Sequence, residues 1–137
     1  MMISTRGRYA LRVIIDLAEN ADGGYTAMKE VAERQDSSLK YLERILPLLV
    51  KENIIEGVHG KGGGYRLTRK PEEIKVGDIL RVTEGSLVPV ACLDCDAEPC
   101  RRTAECRTLP MWKKLNFIVR DFFDSVTVAD LMKKYEK

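Results

Sequence analysis

The sequence predicts a mainly α-helical fold with one small β-hairpin, and three observations carry that prediction. Two helical patterns follow one another across a short turn between residues 26 and 53. Two short β-type segments then flank a glycine-rich stretch at 54–68. A long amphipathic helical pattern begins at residue 111. With 137 residues, 45% of them hydrophobic and 32% charged, the chain can bury one core and form one domain, or a small domain with an appended arm. Its uninterrupted apolar runs are only a few residues long, so no membrane span is expected. The start, MMISTRGRYALRV, lacks an apolar stretch followed by a small-residue cleavage site, and a cytoplasmic protein is expected.

Residues 7–20 read as the first helix, because Ala10, Leu11, Ile14, Leu17 and Ala18 recur at steps of three and four. Asp22-Gly23-Gly24 is expected to stop it through a left-handed glycine. Thr26 reads as the N-cap of a second helix that carries Val31 and Ala32 inward and ends near Gln35-Asp36. Ser37-Ser38 opens a third, with Leu39, Leu42, Ile45 and Leu46 on one face. Pro47 is expected to kink or split it, and Glu52-Asn53 to end it. Two short helices joined by a tight turn make a helix-turn-helix. Residues 54–58 and 65–68 read as a strand pair around His59-Gly60-Lys61-Gly62-Gly63-Gly64. A basic hairpin directly after a helix-turn-helix is a winged helix, whose second helix suits the major groove and whose wing tip reaches a minor groove. The glycine run is no P-loop, since no Gly-Lys-Ser/Thr opens a helix, and no dinucleotide fingerprint, since a strand follows it.

After Pro71, residues 75–83 read as a short helix ended by Gly85. The long pattern places apolar residues at 111, 112, 115, 118, 119, 122, 123 and 126. Trp112, Leu115, Val119, Phe122 and Val126 step as a coiled-coil seam, while Met111, Ile118 and Phe123 widen it. One face is expected to pack on its own domain and the other on a second copy. Val128, Leu131 and Met132 predict a short terminal helix before the charged tail Lys133-Lys134-Tyr135-Glu136-Lys137. The expected organisation is a winged helix-turn-helix unit at 1–85, a cysteine-rich cluster-binding loop at 86–108, and a dimerisation helix with its tail at 109–137.

The net charge of +2 hides a local bias: residues 40–70 hold Lys40, Arg44, Lys51, Lys61, Arg66, Arg69 and Lys70 against Glu43, Glu52 and Glu56. Such an excess fits a phosphate-facing surface, and equally a solvated charged face. On the winged-helix reading, Ser38, Lys40, Tyr41, Glu43 and Arg44 start the helix that enters the groove, and His59 and Lys61 serve the wing. Lys or Arg donates to guanine and Glu43 accepts from cytosine N4. Ser38 reads alternatively as a cap alone, and Glu43 as the partner of a neighbouring lysine. A single histidine in a glycine-rich loop and no known catalytic spacing argue against an enzyme.

All four cysteines lie between Cys92 and Cys106, spaced C-x2-C-x4-C-x5-C. A disulfide scaffold spreads its bridges along a chain, so this clustering marks one local site. Cys92, Cys95, Cys100 and Cys106 are a soft ligand set for an iron–sulfur cluster, 2Fe–2S or 4Fe–4S, with zinc as the second choice. Two disulfides, or four reduced surface thiols, are the other readings.

STRGRYALRVIIDLAE, SSLKYLERIL, GVHGKGGGYRL, GDILRVTEG and the cysteine run before TLPMW together resemble the Rrf2 family of winged-helix transcriptional regulators, its iron–sulfur regulators among them. The likeness covers essentially the whole chain. It implies a homodimer on a near-palindromic DNA operator, with the long C-terminal helices crossing at the interface. It also implies three cysteine ligands just before that helix, for which Cys100 and Cys106 match best, with Cys92 or Cys95 as the third. The chain departs from the family at the fourth ligand. Where some members carry a histidine soon after the last cysteine, Leu109 stands; where others carry an acidic residue near the N-terminus, Arg8 stands. The extra cysteine is the expected substitute. The expected function is a homodimeric DNA-binding regulator or repressor sensing iron–sulfur or redox status through that cluster. The alternative is a cluster-free regulator of the same family controlled by thiol oxidation, zinc or a partner protein.

Overall fold

The computed structural model describes residues 3–133, so the expected tail lies outside the described residues from 134 onward. Five α-helices and one hairpin follow in the order α1 (Thr5–Glu19), α2 (Met28–Arg34), α3 (Leu39–Lys51), β1 (Ile55–Val58), β2 (Gly64–Leu67), α4 (Val76–Glu84) and α5 (Leu109–Ser125). Single 3-10 turns stand at Pro71–Glu73, Ala91–Leu93 and Ala129–Leu131. The mainly helical fold with a two-stranded antiparallel wing is as expected. β1 pairs with β2 in a register that sets Ile55 opposite Leu67 and Val58 opposite Gly64.

The core forms where the apolar faces of α1, α2, α3, β1 and α4 meet. Ile14, Leu42, Leu49 and Ile79 are fully buried there, with Ile54 and Ile55 almost so. Val128 and Ala129, beyond α5, are equally inaccessible. The chain returns to the core at that point: Val76 N–H donates to Val126 O and Val128 N–H to Ile74 O, each at 2.9 Å. A smaller cluster of Val76, Leu80 and Leu87 joins α4 to Phe123 and Val126.

Several local expectations give way to tertiary context. α1 ends at Asn20, which has φ −107° rather than a left-handed conformation. Its side-chain and backbone N–H groups both donate to Asp16 O, so the helix stops before the glycines. Thr26 is not the cap of α2. Ala27 holds that position with no side-chain bond, and buried Thr26 instead exchanges two backbone hydrogen bonds of 2.9 Å with Tyr65. This bridge fastens the wing to the entry of α2. It also explains Gly64, where a Cβ would stand 2.2 Å from Thr26 O. α3 runs unbroken through Pro47. A proline inside a helix costs about 3 kcal/mol, whereas burying Leu42, Ile45, Leu46 and Leu49 contributes roughly 1.5–3 kcal/mol each. Pro47 is also exposed, so its missing N–H falls on the solvent side.

The predicted α5 seam divides. Trp112, Val119 and Val126 are half-buried, while Leu115 and Phe122 face outward. The exposed stripe is instead Met111, Leu115, Ile118 and Phe122, because α4 takes the neighbouring face that includes Phe123.

Candidate functional site

Two surfaces carry the expected chemistry. The first begins at α3. Ser38 is its N-cap, with Oγ accepting from the Tyr41 N–H at 3.0 Å, which leaves the hydroxyl proton able to donate outward. Lys40, Glu43 and Arg44 are exposed and lie three and four residues apart on one face. Among the described residues none of the three is in an ion pair, so Glu43 is not taken up by a neighbouring lysine.

Tyr41 differs from the other expected contacts. It is half-buried and meets Tyr9 of α1 edge-on, with ring centroids 5.4 Å apart. The Arg12 guanidinium lies 4.7 Å over the other partner, Tyr9, and donates from Nε to Gln35 Oε1 at 3.1 Å and from Nη2 to the Gln35 carbonyl. Gln35 donates in turn to Asp16 Oδ2 at 2.8 Å, and Arg34 grips Asp16 through Nη2–Oδ1 at 2.7 Å and Nε–Oδ2 at 3.1 Å. Asp16 is only 2% exposed, and its hydrogen bonds hold the Arg34 guanidinium above its ordinary pKa. The helix-turn-helix corner is therefore clamped to α1. The sequence reading missed Arg12, Asp16, Arg34 and Gln35. The available signal was a lone carboxylate, Asp16, beside Leu17 on the inward stripe of α1, since a buried charge demands a partner.

The wing turns at Gly60 and Gly62, with φ +98° and +80°, and exposes His59 and Lys61. Val50 of α3 lines a small groove with Val58, His59 and Tyr65, so the wing and α3 are neighbours. Glu56 draws off Arg66 at 2.6 Å, whereas Lys40, Arg44, Lys51, Lys61 and Arg69 have no salt bridge among the described residues. The local cationic excess thus stays available to phosphates. Lys61→Ala is expected to weaken binding across DNA sequences and to flatten the slope of log K against log salt by about one unit. Titrations at several salt concentrations check this, and an unchanged slope rules out a wing–phosphate contact at Lys61.

The second surface is the loop from the Ala91–Leu93 turn to the head of α5. All four thiols are free; Cys92, Cys95 and Cys100 are exposed and Cys106 is half-buried. Cys100 O accepts from the Thr103 N–H at 3.2 Å and from its hydroxyl at 2.7 Å. Cys106 Sγ lies 3.5 Å from Thr108 Oγ1. That hydroxyl lowers the Cys106 thiol below its ordinary pKa, helped by the Thr108 and Leu109 N–H groups and the Arg102 charge, against a small opposing effect of burial.

No three of the four thiol sulfurs lie within 4.8 Å of one another. Among the described residues, the group whose ligand atoms lie within 4.8 Å of one another is Asp94, Cys95 and Asp96. The donor chemistry still fits a soft metal centre: four unbridged thiols sit within fifteen residues, on a segment with only short-range turns. Leu109 is the first residue of α5, and Arg8 is an exposed α1 residue bonded to Thr5 Oγ1 at 3.2 Å, so neither is a ligand. No helix of the described residues is long and apolar enough to cross a membrane.

Residues 3–134 match the family model described as Rrf2, an iron-dependent transcriptional regulator. The chain is 34% identical over 132 residues to the HTH-type transcriptional regulator IscR of Aliivibrio salmonicida, spanning 96% of this chain and 77% of that one. It superposes on CymR of Bacillus subtilis, described as a global cysteine regulator, with a TM-score of 0.79 and 34% identity over 99% of both chains. On T. potens IscR the TM-score is 0.76 at 37% identity, covering 99% of this chain and 89% of the other. These named relatives are regulators rather than enzymes.

Proposed function

Since the chain belongs to the Rrf2 family of DNA-binding transcriptional regulators, we propose that it acts as a cytoplasmic homodimer on DNA and senses iron–sulfur or redox status through a cluster held by Cys92, Cys95, Cys100 and Cys106. The observation that carries this reading is the position of the four free thiols, between α4 of the winged-helix unit and the head of the apolar-striped α5. Residues 1–85 read DNA, 86–108 hold the cluster and 109–137 pair the protomers. Ser38, Lys40, Tyr41, Glu43 and Arg44 meet the major groove, with Tyr41 also anchoring the helix, while His59 and Lys61 meet the backbone beside it. In a dimer the two recognition helices stand about 34–36 Å apart, one turn of DNA.

A bound cluster would supply iron chemistry responsive to oxidation or iron supply. The chain itself contributes four free thiols on a segment of short-range turns. A cluster there would shift DNA binding only through a difference in its affinity for two arrangements of α5 against α4. Protein purified without oxygen is expected to carry iron and acid-labile sulfide and to change operator affinity when both are removed. Colourless, iron-free protein that binds its operator tightly favours the second reading. In that reading the free thiols respond to oxidation, zinc or a partner protein.

A further inference from the structure

The three-and-four spacing of α3 groups Leu39 with Leu42, Ile45 and Leu46, yet the structure separates it from them. Leu42, Ile45 and Leu46 are buried, while Leu39 is 37% exposed and belongs to neither apolar cluster of the core. Leu39 is the first residue of α3. Helix side chains tilt toward the N-terminus, so its isobutyl group leans over the turn that joins α2 to α3. There it lines an open groove with Lys29, Asp36 and Ser37. Outside α5 and the turn after it, the large apolar side chains left exposed among the described residues are Leu39, Val50 and Val58. All three stand on α3 or the wing, the two elements that carry Lys40, Arg44, Lys51 and Lys61, none of which has a salt bridge among the described residues. Uncovered aliphatic groups and free cations thus share one surface.

Resting on the DNA reading above, we propose that Leu39 is a specificity-determining residue that packs on the 5-methyl group of a thymine in the major groove, close to the cytosine read by Glu43. The N-terminal residues of a groove-entering helix are the ones that meet base edges. Leu39 and Glu43 are one turn apart and share a side of α3. Glu43 is exposed and outside every salt bridge of the described residues, so its carboxylate is free to accept from a cytosine amino group. The isobutyl group of Leu39 neither donates nor accepts, which leaves it nothing to gain from a phosphate or a polar base edge. Among the groups that base pairs present in the major groove, the thymine methyl is the apolar one. Contact removes both from water, a gain comparable to burying one carbon. The preferred half-site therefore carries a thymine near that cytosine, and it discriminates against uracil at the same position.

The test begins with the full chain enriching duplexes from a randomised pool at fixed salt. Each thymine of the enriched site is then replaced in turn by deoxyuridine, which deletes only the methyl group. The parent is expected to bind about three- to fivefold more weakly when one particular methyl of each half-site is missing. Leu39→Ala is expected to bind the thymine and uracil duplexes equally. Leu39→Met, which keeps an apolar group of similar volume, is expected to retain the preference. Each ratio compares two duplexes on one protein, so any change in the folded fraction cancels. Failure to enrich any sequence defeats the DNA reading itself, and the role of Leu39 with it. An enriched site whose affinity ignores every methyl, or a methyl preference that survives unchanged in Leu39→Ala, overturns the proposal and leaves the DNA reading standing.

Discussion

Ile118→Glu combined with Phe122→Glu is expected to leave the protein monomeric at micromolar concentration and to lower operator affinity by on the order of a hundredfold or more. Met111, Leu115, Ile118 and Phe122 are 53%, 38%, 52% and 59% exposed and recur at steps of four, three and four. That is the spacing of a helix–helix seam. Each such side chain contributes about 1.5–3 kcal/mol when fully covered, and a second copy of the same helix is a self-complementary cover. Two glutamates in the middle replace that gain with desolvated like charges facing one another across the axis. Sedimentation gives the mass, and far-UV circular dichroism checks that the protomer keeps its helices. Phe117→Glu is the internal control. Phe117 is the most exposed of these side chains at 68%, yet lies about a third of a turn off the stripe, so its variant is expected to stay dimeric. A dimer that survives the double substitution removes α5 from the interface.

Replacing all four cysteines with alanine is expected to abolish the visible absorbance and the bound iron that the unmodified chain takes up on anaerobic reconstitution. Single replacements carry the finer information. With four thiolates on one centre, losing either Cys92 or Cys95 releases most of the iron. With three thiolates and a ligand from elsewhere, only one of that pair matters. Leu109 and Arg8 occupy the positions from which relatives are expected to draw a fourth ligand, so the first pattern is predicted. Iron retained by the fourfold variant, or none taken up by the parent, defeats the cluster.

Much of the DNA-binding unit was legible because its signals are local. Ser38 caps α3 through its own hydroxyl, the glycines of 60–64 permit the hairpin, and the three-and-four spacing of Leu42, Ile45, Leu46 and Leu49 needs only helix geometry. The cysteine cluster was equally plain as composition. The Asp16–Arg34–Gln35–Arg12 clamp was not, since its members are 18 to 23 residues apart and only the meeting of α1 with the helix-turn-helix corner joins them. Thr26 failed as a cap for the same reason. Its backbone was claimed by Tyr65, a strand residue whose approach no local pattern announces.

The sequence by itself determined the family, the winged helix-turn-helix and the set of thiols, because periodicity, capping and ligand chemistry are written in short stretches of chain. The tertiary structure decided which residues of α5 remain uncovered and how Asp16, Arg34, Gln35 and Arg12 come together. An amphipathic helix with apolar residues on several faces has no preferred inward side until a neighbour packs on one of them. Here α4 took the face of Phe123 and left Met111, Leu115, Ile118 and Phe122 outside.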